Sequence, residues 1–204
     1  MPPAVSRGSF NVSSSETDKR QLRRTLRTQR RALSVFAQRR AARQLLQRVI
    51  RLPWFLQANS IAFYLAADGE IDPFPLIQHA WRCGKRTFLP GLRAGNRLVF
   101  LEYRAGSPMR VNRLGISEPY GVLPVALNAL DAVCLPLVGF DRASGRLGMG
   151  GGFYDRTLAR RTWNGPRLIG LAHSLQQCEH IPRDAWDIPL REVVTERQWI
   201  RVRR

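Results

Sequence analysis

Four glycines stand within five positions of the chain, directly before a Phe-Tyr-Asp sequence. They are Gly148, Gly150, Gly151 and Gly152. Glycine loses the most backbone entropy on folding, so such a cluster indicates unusual dihedrals or a main chain that approaches a ligand closely. Between a strand and a helix, such a loop directs free N–H groups at an anion. Arg146 before the loop is a candidate phosphate partner, and Asp155 after it is a candidate metal ligand. A flexible surface turn is the alternative interpretation of a short glycine run.

Two common phosphate-binding motifs do not fit this loop. A P-loop requires a Lys followed by Ser or Thr after its last glycine, and no Lys follows here. The dinucleotide fingerprint GxGxxG requires a third glycine at Phe153. Neither a standard P-loop NTPase nor a dinucleotide oxidoreductase is therefore indicated.

The composition predicts one globular domain with an anionic partner. The chain has 204 residues, 44% of them apolar, and a net charge of +18. Lys19 and Lys85 are the only lysines, so Arg supplies nearly all of the positive charge. The charge favours a nucleotide, a nucleic acid or an acidic small molecule as partner, although a coding bias towards Arg also produces such a surface.

The expected compartment is the cytoplasm. No window approaches the roughly 18 continuous apolar residues of a membrane span, and residues 1–17 lack the apolar core of a secretory signal. This Pro-, Ser- and Gly-containing segment is expected to be a disordered tail. Cys83, Cys134 and Cys178 form an odd set without CxxC spacing, and Cys134 is expected to be a buried thiol, as in a reducing environment.

The elements that must position the glycine loop follow from hydrophobic periodicity. Helices are predicted over 18–33 and over 35–51, with Ser34 capping the second, and together they form a basic helical arm over 18–52. The arm belongs to a single α/β domain over 18–204. A further helix is predicted to begin at Asp72-Pro73, and another covers 153–161. Strands are predicted over 60–65, 86–89, 97–103, 132–138, 167–172 and 193–202, with 132–138 central and 97–103 near the sheet edge. This alternation indicates an open, mostly parallel sheet flanked by helices, with ligands beyond the carboxyl ends of the strands.

The glycine loop resembles the nucleotide loop of the 5-formyltetrahydrofolate cyclo-ligase (methenyltetrahydrofolate synthetase) family. Gly145-Arg-Leu-Gly-Met-Gly-Gly-Gly-Phe-Tyr-Asp155 is similar to that family's G-x-R-L-G-x-G-x-G-Y-Y-D. Five further segments resemble the family in the same order, so that the likeness runs from about residue 17 to 197. They are Lys19 to Arg23, Tyr64 to Asp72, Lys85 to Pro90, Gly115-Ile-Ser-Glu-Pro119, and Trp186-Asp-Ile-Pro-Leu through Thr195-Glu196.

The resemblance implies a reaction and a cofactor. It implies that 5-formyltetrahydrofolate and ATP are converted to 5,10-methenyltetrahydrofolate, ADP and phosphate with Mg²⁺. The formyl oxygen is a poor leaving group until it is phosphorylated, so the protein must hold it in line with the γ-phosphate and neutralise the spreading charge. The implied partners are a nucleotide and a reduced folate, including polyglutamylated forms, and a membrane is not among them.

The resemblance also assigns roles to residues. The ATP-binding positions are Lys19, Arg20, Arg23, Arg146, Leu147, Gly148, Met149, Gly150, Gly151, Gly152, Phe153 and Tyr154. Asp155 and Asp187 match the magnesium positions, and Glu70 matches the glutamate that contacts the pterin, with Leu65 and Tyr154 in the same pocket. Without the resemblance, the favoured interpretation of Lys19, Arg20 and Arg23 is a solvated helix face. Glu118, in the Glu-Pro turn, is expected to be buried and structural.

Three positions depart from the family pattern. Met149 stands where vertebrate members carry Arg, Gly151 where they carry Lys, and Phe153 replaces the first Tyr of the pair. These changes alter side-chain contacts with substrate but leave the backbone role of the loop intact. Bacterial members commonly have Gly at the position of Gly151, which favours a bacterial origin.

Two other functions remain as alternatives. A basic RNA-binding protein would require aromatic residues placed for base stacking, and its known motifs are missing from the sequence, so nucleic acid is not the expected partner. A paralogue with the same fold and another substrate would carry the same nucleotide loop.

Overall fold

The computed structural model describes residues 12–143, 145–162, 165–184 and 187–201, with side chains from Glu16 onward. Its α-helices are α1 (Val12–Arg31), α2 (Val35–Val49), α3 (Pro53–Gln57), α4 (Phe74–Arg82) and α5 (Phe153–Leu158). Its strands are β1 (Ser60–Ala62), β2 (Arg86–Arg93), β3 (Arg97–Glu102), β4 (Met109–Val111), β5 (Ser117–Pro119), β6 (Pro124–Val125), β7 (Ala132–Pro136), β8 (Gly139–Phe140), β9 (Arg146–Leu147), β10 (Arg167–Leu171), β11 (Glu192–Val194) and β12 (Trp199–Arg201). Single 3₁₀ turns cover Leu127–Ala129 and Ser174–Gln176.

Eight strands form one sheet in the order β12-β11-β10-β7-β1-β2-β3-β6. The five strands from β11 to β2 run parallel, while β12, β3 and β6 join antiparallel to their neighbours. The pairs β4-β5 and β8-β9 form separate two-stranded ladders. The predicted mostly parallel α/β sheet is confirmed, with β7 near its centre.

Apolar side chains cover both faces of this sheet, as a sheet with buried parallel strands requires. One core packs α2, α3 and α4 against the sheet and includes Leu45, Phe55 and Ile77. The other lies on the opposite face, under α5, and includes Phe88, Phe100 and Leu158. A smaller cluster, with Leu26 and Ile181, attaches α1 to the region around β8 and β9. The carboxyl ends of the parallel strands therefore remain free for loops.

Local signals set several helix boundaries. The Ser34 hydroxyl accepts a hydrogen bond from the N–H of Ala37 at 3.2 Å, so the predicted cap of α2 is confirmed. Asp72 accepts a hydrogen bond from the N–H of Phe74 at 2.9 Å, but α4 itself begins at Phe74, with Pro73 in the capping position.

Other boundaries differ from the prediction. Helix α1 begins at Val12, so residues 12–17, assigned above to the tail, are helical, whereas residues 1–11 lie outside the described part of the chain. The single strand predicted over 193–202 is wrong, because a turn at 195–198 divides it into the antiparallel pair β11 and β12. Thr195 causes this turn, since its hydroxyl accepts hydrogen bonds from the N–H groups of Arg197 and Gln198.

Candidate functional site

The glycine loop, residues 148–152, connects β9 to α5 as the sequence predicts. Gly150 and Gly152 have φ of 91° and 63°, values that favour glycine. Gly148 has open space where a Cβ would stand. The unusual dihedrals predicted for this loop are therefore present at two of its four glycines.

The residue that stabilises the turn before this loop is Asp141, at the end of β8. Its fully buried carboxylate accepts hydrogen bonds from the N–H groups of Ala143, Gly145 and Ile181 at 2.8, 2.7 and 3.0 Å. Three backbone donors satisfy this carboxylate without a buried cation. The entry to the glycine loop is thereby fixed from one side.

Helix α1 passes beside the glycine loop with one basic face. Arg23 donates from Nε to the carbonyl oxygen of Gly148 at 3.0 Å. Lys19, one turn earlier on the same face, is buried, and its Nζ lies 2.6 Å from Asp184 Oδ2 and 3.7 Å from Asp187 Oδ2. Arg20 is exposed. The helix thus brings Arg23 to the glycine loop and Lys19 to Asp184 and Asp187.

Two carboxylates lie close to this basic face. Asp155 is paired with Arg146, and its Oδ1 accepts a hydrogen bond from the N–H of Ile188 at 3.3 Å. Arg146 also donates from Nε to the carbonyl oxygen of Ile188 at 2.8 Å. Asp187 Oδ2 accepts from the N–H of Asp184 at 2.9 Å. Asp155 therefore contacts Ile188, the residue that follows Asp187, while Asp187 itself contacts Asp184 and Lys19.

This donor set suits a magnesium ion that is also held by phosphate. Magnesium in nucleotide sites takes one or two carboxylates and completes its shell with phosphate oxygens and water. The hydrogen bonds to Asp155 and Asp187 engage one oxygen of each. Within the described residues, no group of three or more His, Cys, Asp or Glu side chains could hold a metal by itself. The two carboxylates are of the kind and number that magnesium takes from the protein in such sites.

Glu70 lies in the loop after β1, in a largely buried position. Its Oε2 accepts a hydrogen bond from the N–H of Ala67 at 3.1 Å. Burial raises the pKa of Glu70 to about 7, against the opposing effects of the Ala67 N–H and the Arg30 guanidinium. A largely buried carboxyl group with such a pKa is a candidate for a functional role.

Two phenols lie near this carboxyl group. Burial, and after it the charge of Glu70, raises the pKa of both Tyr64 and Tyr154. The Tyr64 hydroxyl donates to the carbonyl oxygen of Ile71 at 2.9 Å. Leu65 is half-buried and packs against the core that contains α2, α3 and α4, whereas Tyr154 packs against the core on the opposite face of the sheet. Of the three predicted pterin contacts, Glu70 and Tyr154 therefore lie near each other, with Tyr64 as an addition.

A cluster of arginines around Asp68 was not predicted from the sequence. Arg27 Nε lies 2.8 Å from Asp68 Oδ2, Arg30 Nη2 lies 2.7 Å from the same oxygen, and Arg31 pairs with Oδ1. Desolvation acts to raise the pKa of Asp68, but hydrogen bonds from the three guanidinium groups lower it well below its usual range. The arginines lie on α1 among many others, so only their shared partner distinguishes them.

Two further predictions concern buried residues outside the site. Glu118 is buried, and it accepts hydrogen bonds from the N–H of Leu92 and from the side chains of Arg110 and Asn112. It attaches the β4-β5 ladder to β2, which confirms the expected structural role. Cys134 is buried in the core as expected.

No helix in the described part of the chain is long and apolar enough to cross a membrane.

Comparisons with known proteins agree on one family. Residues 15–196 match the family described as "5-formyltetrahydrofolate cyclo-ligase family". The 5-formyltetrahydrofolate cyclo-ligase of Escherichia coli strain K12 is 45% identical over 177 residues, which cover 83% of this chain and 96% of that protein. The protein of the same name from Haemophilus influenzae is 42% identical over 187 residues, covering 87% and 98%.

Solved structures agree with the sequence comparisons. The NMR structure of Aquifex aeolicus 5,10-methenyltetrahydrofolate synthetase matches with a TM-score of 0.81 and 33% identity, covering 91% of this chain and 93% of that one. The 5,10-methenyltetrahydrofolate synthetase of Mycoplasma pneumoniae matches with a TM-score of 0.72 and 24% identity, which supports the fold alone. It covers 88% of this chain and 99% of that one.

Proposed function

The chain belongs to the 5-formyltetrahydrofolate cyclo-ligase family, and from this premise we propose that it converts 5-formyltetrahydrofolate and ATP to 5,10-methenyltetrahydrofolate, ADP and phosphate. The observation that carries the proposal is the position of Glu70 and the glycine loop at one edge of the sheet. Arg30 contacts both, since its Nη2 lies 3.8 Å from Glu70 Oε1 and 3.9 Å from Met149 Sδ. A nucleotide and a pterin held by these two loops would meet.

The nucleotide is assigned to the glycine loop and the basic face of α1. The backbone N–H groups of residues 148–152 are donors for phosphate oxygens. Lys19, Arg23 and Arg146 supply positive charge around the loop, and each is held in place by a hydrogen bond to a carboxylate or a carbonyl oxygen. The proposed ATP site also includes residues that adjoin these groups in the loop or in α1, namely Leu147, Met149, Phe153 and the exposed Arg20.

The folate is assigned to the Glu70 pocket. The carboxylate of Glu70 can accept two N–H groups from the 2-amino-4-oxo-pyrimidine edge of the pterin, while the side chains of Leu65 and Tyr154 contact its ring. A site built on such hydrogen bonds rejects analogues that lack those donors. The specificity for a reduced folate is therefore assigned to Glu70.

The chemistry then requires alignment of two substrates. The formyl oxygen attacks the γ-phosphorus, the bond from that phosphorus to the β-bridging oxygen breaks, and ADP leaves. The anilino nitrogen next attacks the activated formyl carbon, loses its proton, and phosphate departs with the former formyl oxygen. Arg146, which is mostly buried and fixed by Ile188, and Lys19 neutralise charge that spreads over the transferred group.

Asp155 and Asp187 are proposed to hold Mg²⁺. When bound, the ion supplies charge neutralisation for the phosphate oxygens. The chain holds both carboxylates in place through neighbouring cations, since Asp155 pairs with Arg146 and Asp187 with Lys19.

The preferred substrate is proposed to include polyglutamylated folate. A groove of about 450 Å³ lies between α2 and the turn at 195–198, and Arg43, Arg48, Arg51 and Trp199 line it. Glu196, in the same lining, accepts from the N–H of Ser174 at 2.8 Å and so connects the groove to the loop after β10. Equal affinity for mono- and polyglutamate forms would refute this preference.

The three free thiols support the cytoplasmic assignment.

The decisive experiment follows the product optically. Purified protein with Mg·ATP and 5-formyltetrahydrofolate is expected to develop the near-ultraviolet absorbance of the methenyl product. No absorbance change, beside an active control enzyme, would dismiss the proposal and leave a paralogue with another substrate.

A further inference from the structure

Arg30 connects three parts of the proposed active site from a fully buried position. Its Nε donates to the Asp68 carbonyl oxygen at 2.8 Å, and its Nη1 donates to the carbonyl oxygen of Leu137, just beyond β7, at 3.0 Å. Its Nη2 lies 2.7 Å from Asp68 Oδ2, 3.8 Å from Glu70 Oε1 and 3.9 Å from Met149 Sδ. One guanidinium therefore contacts the Glu70 loop, the central strand and the glycine loop.

Asp68 does not neutralise the whole positive charge of Arg30. Arg27 and Arg31 pair with the same carboxylate, so three cations share one negative charge. Arg27 and Arg31 are partly exposed and can be balanced by solvent, whereas Arg30 is closed off from it. Within the buried region, Glu70 is the other carboxylate paired with Arg30. A buried cation favours the ionised form of such a neighbour.

The other groups near Glu70 do not supply a positive charge. Tyr64, from the end of β1, and Tyr154, from α5, are phenols whose pKa burial raises, and Asp68 adds a like charge from the same loop. His173, from the loop after β10, lies near Arg30, and burial lowers its pKa, which disfavours its charged form. Among the described residues, Arg30 is the only cation paired with Glu70.

We propose that Arg30 is a positioning residue for the folate: it holds Glu70 as a carboxylate aimed at the pterin N–H edge, at a fixed place relative to the glycine loop. The ionised group accepts both N–H donors, whereas a protonated one presents a hydroxyl against one of them. Folate affinity therefore depends on a residue that does not itself touch the folate. The inference rests on the proposed function of the Glu70 pocket.

The test measures binding without turnover. The dissociation constant for 5-formyltetrahydrofolate is determined by calorimetry, without ATP, from about pH 5.5 to about pH 9 for the full-length protein. In the wild type, affinity is expected to fall as the pH drops through about 7, the pKa of Glu70. In Arg30→Met the midpoint of this fall is expected to move up by about one pH unit or more, with affinity approaching the wild-type value at the alkaline end.

The matched control is Arg27→Met. It removes a guanidinium from the same Asp68 carboxylate but none that is paired with Glu70, so the wild-type midpoint is expected. Arg30→Lys, which keeps the charge, is expected to move the midpoint back towards the wild type. An unchanged midpoint in Arg30→Met, or an affinity loss equal at every pH, would mean that Arg30 only maintains the loop and would overturn the inference.

A second variant keeps the inference testable if Arg30→Met does not fold. Glu70→Gln is expected to bind the folate weakly and with no pH dependence over the same range. If the affinity of this variant still fell with a midpoint near pH 7, the inference would also be overturned. The two levels of failure are distinct. A wild type that makes no methenyl product refutes the proposed function, whereas an active wild type with an unshifted Arg30→Met refutes this inference alone.

Discussion

Arg23 and Gly148 are joined by a hydrogen bond of 3.0 Å, from the guanidinium Nε of a helix near the N-terminus to a carbonyl oxygen in the glycine loop. The two residues are 125 positions apart in the chain. This bond fixes the loop against α1, while Arg23 Nη1 donates to Glu16 Oε1 at 3.0 Å. The proposed nucleotide site therefore combines residues that are far apart in the chain.

Arg23→Met is expected to raise the KM for ATP by roughly tenfold to a hundredfold, because a hydrogen bond to a charged group contributes about 1.5–3 kcal/mol. Steady-state kinetics with varied ATP measure the change. Arg24→Met, at an exposed neighbouring position, is the control and should leave the KM unchanged. An unchanged KM in Arg23→Met would remove this residue from the nucleotide site.

Asp155→Asn is expected to reduce turnover by about a hundredfold or more while the protein stays folded, because it removes a proposed magnesium ligand. Raising the Mg²⁺ concentration should restore part of the rate. The absorbance assay gives the rate, and circular dichroism checks the fold. Asp18→Asn, at an exposed position in α1, serves as control. Wild-type rates in Asp155→Asn would refute the metal assignment.

Glu70→Gln is expected to change how stability depends on pH. The folded-state pKa of Glu70, about 7, lies above its value of 4.5 in the unfolded chain, so the folded state retains a proton that the unfolded state loses. The wild type therefore loses stability as pH rises from about 4.5 to about 7, by up to about 3 kcal/mol. Glu70→Gln should not show this loss, and urea denaturation at several pH values measures it.

Glu102→Gln is the control for that experiment because its sign is opposite. Hydrogen bonds from Arg86 and Arg104 lower the pKa of Glu102, so its contribution is present at neutral pH and is lost as pH falls. The Glu102→Gln variant should therefore still lose stability as the pH rises through about 7, as the wild type does. If Glu70→Gln and Glu102→Gln showed the same pH profile, the elevated pKa of Glu70 would be wrong.

Two glycines of the loop are expected to respond differently to a methyl group. Gly152 has a positive φ, and a Cβ there would meet the Arg156 guanidinium at 2.9 Å, so Gly152→Ala should lower the free energy of unfolding by about 1–2 kcal/mol. Gly148 has neither constraint, so Gly148→Ala should fold normally but bind ATP several-fold more weakly if phosphate approaches the main chain there. Thermal denaturation and nucleotide titration separate the two. Unchanged ATP affinity in Gly148→Ala would argue against close approach at this position.

Much of the architecture could be predicted because its signals are local. The cap at Ser34, the apolar run that forms β7 and the glycine cluster each involve residues adjacent in the chain. The division of the last predicted strand was missed because Thr195 is a residue type common in strands. Its role in the turn becomes visible only from the hydrogen bonds that its hydroxyl accepts from the N–H groups of Arg197 and Gln198. The early start of α1 was missed because Ser and Thr at its beginning favour caps and turns as much as helices.

By itself, the sequence determined the family, the mostly parallel α/β fold and the glycine loop, since short patterns of residue type and spacing encode them. The family resemblance indicated Arg23, but only the tertiary structure decided what Arg23 contacts and singled out Arg30. Arg23 and Arg30 become distinct because chain folding places one on Gly148 and buries the other between Asp68 and Glu70. The physical reason is that the role of a charge depends on its partners and its exposure, and for a residue of α1 both are set by segments 38 to 125 positions away.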